Sequence, residues 1–240
     1  MLLEFFASMN VQTTLFLLSV AILVQACFIA VQAVLVREYR GIRTSALANL
    51  GIALGIFLIS LRGFLSDLLT VIVGNYVQMV GIALLYVAIC RFIGVRHNKA
   101  VIAIALLPTL LLFPYYTFVD NNLSVRILLV NFGGALLLGM MAFRLHGVRQ
   151  EAYRFTARLL KVTLGVYAFV LIFRSVDVVL SPPQSLFDSN IHFFHALTLF
   201  VTSYLWTSVF SLMVSQRLQG DLTDLVTVDS LTRVTNRRGM

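Results

Sequence analysis

The chain has 240 residues and a formal net charge of +8, yet only 12% of its residues are charged and 60% are hydrophobic. A water-soluble domain carries about 25% charged residues, so an ordinary soluble globule is excluded. The basic residues punctuate long apolar runs and form no patch or stripe, so the positive excess does not indicate nucleic acid.

No charge falls between Glu4 and Arg37, between Asp67 and Arg91, or between Asp188 and Arg217. Each gap exceeds the ~20 residues that cross a bilayer core as a helix. Residues 1 to 12 read as an external N-terminal segment, without the positive n-region of a cleavable signal. Apolar runs against charged breaks then predict seven spans, about 13 to 36, 45 to 61, 68 to 90, 100 to 117, 123 to 143, 162 to 180 and 191 to 214. Backbone polar groups in hydrocarbon must be satisfied within the segment, so the expected fold is all-α, a polytopic seven-transmembrane-helix bundle over residues 13 to 214.

Cys27 and Cys90 sit in or at the end of apolar runs and read as packing residues. Gly51 and Gly55 form a GxxxG in the second span, and Gly133, Gly134 and Gly139 interrupt the fifth, all places where helices can approach closely. Tyr115, Tyr116 and Phe118 end the fourth span as an interfacial belt, and Pro182 and Pro183 mark a turn between the sixth and seventh.

Orientation follows from the basic residues. One side collects Arg37, Arg40 and Arg43, then Arg91, Arg96 and Lys99, then Arg144, Arg149, Arg154, Arg158 and Lys161, and finally Arg217, Arg233, Arg237 and Arg238. The other side keeps Arg62 and Arg126, and Arg174 lies inside a span. The positive-inside rule places the N-terminus outside and the C-terminus in the cytoplasm.

So oriented, the polar residues of the spans concentrate in the outer half: Arg62, Asn75, Gln78, Arg126, Asn131, Arg174, Asp177, His192 and His195. Ionisable groups in a membrane face a bundle interior or a wet cavity, which suggests an outer cup. Three arginines supply bidentate donors for an anion or carboxylate, with the amides fixing orientation. The competing reading has Arg174 and Asp177, three apart, neutralising each other, while Arg62 and Arg126 snorkel to headgroups. Asp188, His192 and His195 share a helix face and form a weak candidate metal site, though interfacial histidines explain them more simply. Lys99 and Lys161 stand at span ends, which leaves no mid-span amine for a retinal Schiff base.

Beyond 214 the chain turns polar. Leu218, Leu222 and Leu225 recur at i, i+4 and i+7, the stripe of a helix over residues 215 to 228 that a second copy would bury. The run DSLTRVTNRR follows, and its Asp229, Leu231, Thr232, Asn236, Arg237 and Arg238 resemble the D-x-L-T-x-L-x-N-R-R entrance of GGDEF domains, with Arg233 and Val234 where that family usually has Gly and Leu. The stretch holding Arg62, Gly63, Asn75 and Gly81 is similar to the multi-span sensor halves that precede many such domains.

That resemblance implies a truncated diguanylate cyclase, with residues 229 to 240 the first of a GGDEF domain. It also implies that the catalytic loop, the GTP contacts and the Mg ligands follow Met240, so this chain carries no catalytic residue or cofactor of its own. The expected role is a transmembrane sensory module in a bacterial inner membrane, homodimeric, which binds a small anionic ligand and controls cyclic di-GMP synthesis. Its other partner is the lipid bilayer, and nucleic acid is not expected. The alternatives are a transporter or channel-like bundle and a purely anchoring or dimerising module. Against transport, the inner halves of the spans hold little polar beyond Gln32 and Asn49.

Overall fold

Seven helices long and apolar enough to cross a membrane run through the computed structural model, which describes residues 11–148, 150–183 and 190–227. They mark the chain as a membrane protein. Helix α1 covers Val11–Leu35, α2 Ile42–Ser60, α3 Gly74–Phe92, α4 Lys99–Leu112, α5 Leu123–His146, α6 Arg154–Leu180 and α7 Asn190–Thr227. A π-helical segment, Leu68–Val73, leads into α3, a short turn, Tyr115–Phe118, follows α4, and a 3-10 turn, Glu151–Tyr153, precedes α6. Apart from one isolated bridge between Arg62 and Leu65, the described residues hold no β-structure.

Each expected span is present, and two ends move. Helix α6 begins at Arg154 rather than near 162, so Arg154, Arg158 and Lys161 ride on its first turns. Hydropathy cannot see that extension, because long basic side chains let a helix continue beyond the hydrocarbon. The other end is that of the seventh span, which merges without a break through Gly220 into the helix expected beyond 214 and runs to Thr227, at ~1.5 Å per residue one rod of about 57 Å. The DSLTRVTNRR run lies outside the described residues.

Local chemistry sets the ends. Asn98 and Asn122 are N-caps whose side-chain oxygens accept from Ala100 N at 2.9 Å and Val125 N at 3.2 Å. Gly41 enters α2 at φ +101, and a Cβ there would stand 2.5 Å from the Ala88 carbonyl, so only glycine fits. Gln12 at the start of α1 donates to the carbonyls of Ser60 at 2.7 Å and Arg62 at 3.0 Å, satisfying the end of α2.

The helices close a ring. Helix α1 packs on α2, α2 on α3, α3 on α5, α5 on α6, α6 on α7 and α7 on α1, while α4 lies outside against α5. Glycines on α2 and α3 let the backbones touch: Gly51 and Gly55 face Gly81 and Gly74. Leu18, Ile22, Ile52, Met79, Tyr86, Leu137, Met141 and Leu164 fill the centre. Across it, Thr207 on α7 donates to Gln25 on α1 at 2.9 Å, and Trp206 donates to Asn49 on α2 at 3.4 Å.

Candidate functional site

At the end of the ring that carries Arg62, the helices diverge around a cavity of about 100 Å³, partly open to the surface. Every one of the seven spans contributes to its wall. Of the nine residues expected to form an outer cup, six line this cavity: Arg62, Asn75, Gln78, Arg126, Arg174 and His195.

Arg126, in the first turn of α5, is only 4% exposed. Its Nη2 donates to Asn121 Oδ1 at 3.0 Å and its Nη1 to Thr117 Oγ1 at 3.5 Å, so the segment before α5 holds the guanidinium from behind. Arg174, 7% exposed on α6, donates through Nη1 to Asn131 Oδ1 at 3.2 Å. Asn131 in turn donates to Ser175 Oγ at 3.0 Å. Asn131 is thus a bracket between α5 and α6 that holds Arg174, and it does not itself line the cavity.

The pairing of Arg174 with Asp177 does not form. Asp177 is half-exposed and outside the cavity wall, and Arg174 bonds Asn131 instead. Spacing of three residues puts two side chains on neighbouring lines of a helix, but Asp177 stands nearer the α6 end and Arg174 turns inward. The snorkelling reading of Arg126 fails too, since the side chain is buried among Thr117 and Asn121. Arg62 is half-buried at the rim.

The buried Nε atoms of Arg126 and Arg174 have no hydrogen-bond partner among the described residues. The described lining holds three guanidinium groups and no carboxylate. Most of the remaining wall is apolar, including Ile59, Val71, Phe113 and Val130. Such a space favours an anion: the guanidinium fork presents donors in a plane matched to a carboxylate, and the low-dielectric walls strengthen the attraction.

Three features of the site had no signal in the sequence. The π-helical turn over Leu68–Val73 brings Thr70 and Val71 to the wall, and Asn75 donates to the Val71 carbonyl at 2.7 Å. Tyr167 on α6 stacks on His195, ring centroids 5.9 Å apart and 13° from parallel. Asn121 and Thr117 lie in a connection that read as interface.

His192 falls in the first turn of α7, with its side chain outside the described residues, as is Asp188. No group of three metal-ligating side chains occurs among the described residues, and the Asp188, His192 and His195 set lies largely beyond them. Cys90 is buried, and Cys27 lies exposed on the outside of α1.

The opposite end of α7 is gripped. Arg217 donates to the Phe92 carbonyl at 2.8 Å and covers the rings of Tyr39, 4.7 Å from its centroid, and Phe92, at 5.4 Å. Tyr39 donates to Asp221 at 2.5 Å, and Thr156 donates to Gln216 at 2.5 Å. Directly after Arg217 and Asp221, Leu218 and Leu222 are exposed, while the side chain of Leu225 is outside the described residues. Burial and the bond to Asp221 push the Tyr39 phenol up to about 12.

Comparison with family models, with curated proteins and with solved structures found no match.

Proposed function

We propose that the bundle is a transmembrane sensory module of a bacterial cytoplasmic membrane, which binds a small anionic ligand from outside and controls a diguanylate cyclase that follows Met240. One observation carries this reading. Helix α7 lines the cavity with His195 and Leu199 and leaves the bundle at the other end through the Arg217 and Asp221 grip. From His195 to Arg217 is 22 residues of one helix, about 33 Å. A shift of α7 at the cavity therefore reaches the exposed Leu218 and Leu222 without passing through a loop.

Two GGDEF domains must face each other to join two GTP molecules, so the output requires a dimer, and the leucine stripe is the nearest surface for it. The cavity supports sensing over transport, because the centre of the ring below it is closed by packed apolar side chains and by the Thr207–Gln25 and Trp206–Asn49 hydrogen bonds. With the N-terminus outside, the cavity opens to the exterior and the grip lies in the cytoplasm.

The test uses the longer parent protein, in which the proposed cyclase domain follows these 240 residues, in bacterial membranes with cyclic di-GMP formation from GTP and Mg²⁺ as the readout. Leu222→Asp is expected to lower the rate while leaving the protein in the membrane, and Arg174→Gln to abolish its dependence on the growth medium's organic anions. Unchanged cyclase output in both variants refutes the reading. Reporter fusions after residues 120 and 217 check the orientation, and an external signal from the second overturns it.

A further inference from the structure

The cavity is cationic at two separate levels. Arg126 is held at the mouth by Asn121 and Thr117, and Arg62 and Asp67 are the charges within its electrostatic reach. Arg174 lies deeper. Its bracket, Asn131, is five residues further along α5 than Arg126, an axial drop of about 7.5 Å. Apolar side chains line the wall between the two levels: Ile127 and Val130 on α5, with Val130 packed against the cluster of Val71 and Phe113.

Each level holds a nine-tenths-buried arginine whose Nε has no hydrogen-bond partner among the described residues. A single-point anion such as a carboxylate or inorganic phosphate satisfies one level and leaves the other buried and unneutralised. The remaining positive charge is costly in a low-dielectric space.

We propose that the ligand is a linear dicarboxylate: one carboxylate at Arg126 and Arg62, the other at Arg174, with a methylene spacer against Ile127, Val130 and Val71. This rests on the anion-sensing reading and refines it. Each carboxylate accepts from a guanidinium edge in the bidentate geometry that a planar fork provides. The apolar stretch at Ile127, Val130 and Val71 favours a methylene spacer over one bearing several hydroxyl groups.

The experiment is calorimetric titration of the whole chain in lipid nanodiscs with succinate, glutarate and adipate, and with butyrate, valerate and inorganic phosphate as single-point probes. The best-fitting diacid is expected to bind at least tenfold more tightly than either monoacid. Arg126→Gln and Arg174→Gln are each expected to cost roughly 10- to 150-fold for the diacid, the loss of a hydrogen bond to a charged group. For the monoacid only one of the two substitutions is expected to matter. The wild-type series stands without the variants, so a variant that fails to fold does not remove the test. Equal affinity for monoacid or phosphate overturns the two-ended ligand and leaves an anion sensor standing. Binding of none of the six anions overturns both.

Discussion

Replacing Gly55 by alanine tests the packing on which the cavity rests. A Cβ at Gly55 would stand 2.5 Å from the Gln78 nitrogen, 2.6 Å from Gln78 Cβ and 2.6 Å from the Gly74 carbonyl. Two of these are backbone atoms, so no side-chain rotation relieves the overlap. Helices α2 and α3 must part by about 0.9 Å to restore the 3.4 Å of ordinary contact. Overpacking of this kind costs roughly 1–3 kcal/mol. On the soluble-protein scale for a chain of this size, that is about 2–12 °C in melting temperature. Cys90 is the natural reporter, because it is buried on α3, and its alkylation by a thiol-reactive dye during heating follows opening of the bundle. Cys27 is replaced by Ala so that its exposed thiol does not contribute. Gly139→Ala and Gly165→Ala are the controls, since nothing lies within 4 Å of either added methyl. Gln78 lines the cavity, so Gly55→Ala is also expected to weaken anion binding. If Gly55→Ala melts with the controls, the backbones of α2 and α3 are not in contact and the geometry of the cavity wall is wrong.

The grip on α7 carries a pH signature. The Tyr39 pKa rises from 10.0 to about 12 in the folded protein, through burial first and the bond to Asp221 second, so the neutral phenol is the stabilised form. Its contribution is complete below pH 10 and disappears as pH rises towards 12; circular dichroism melts of wild type and Tyr39→Phe should differ at pH 9 and converge at the alkaline end. A constant difference across that window removes Tyr39 from the grip.

The spans were legible because charge is costly in hydrocarbon: the gaps after Glu4, Asp67 and Asp188 fall on α1, α3 and α7. The same cost made much of the cavity legible, since a polar side chain that cannot face lipid must face the interior. Arg62, Asn75, Gln78, Arg126, Arg174 and His195 meet there for that reason. What the pattern lacked was azimuth. It carried no sign that α1 closes on α7 or that α4 lies outside the ring, because every span is apolar nearly all round. Nor did it separate Asn131, which holds a cavity-facing arginine, from Asn75 and Gln78, which line the wall. Spacing along α6 suggested Asp177 as the partner of Arg174, but a partner on a neighbouring helix took its place.

How the arginines are used distinguishes the two ends of the bundle. At the α7 exit, Arg217 bonds a backbone carbonyl and covers two aromatic rings, and Arg91 donates to Thr44 at 2.9 Å. Those residues lock helices together. Arg144 also has an Nε without a hydrogen-bond partner among the described residues, but its side chain is only half-buried. Arg126 and Arg174 differ from all three: both are almost fully buried, each is braced from behind by neutral amides or hydroxyls, and each lines the same cavity. A guanidinium that served only to join α5 to α6 would gain more from a carboxylate, and Asp177 is available one turn away on α6. Neutral braces fix position, and no carboxylate among the described residues hydrogen-bonds either guanidinium. That arrangement costs stability in the empty protein, and the anion proposed above would offset the cost, whereas a clasp between α5 and α6 has no use for it.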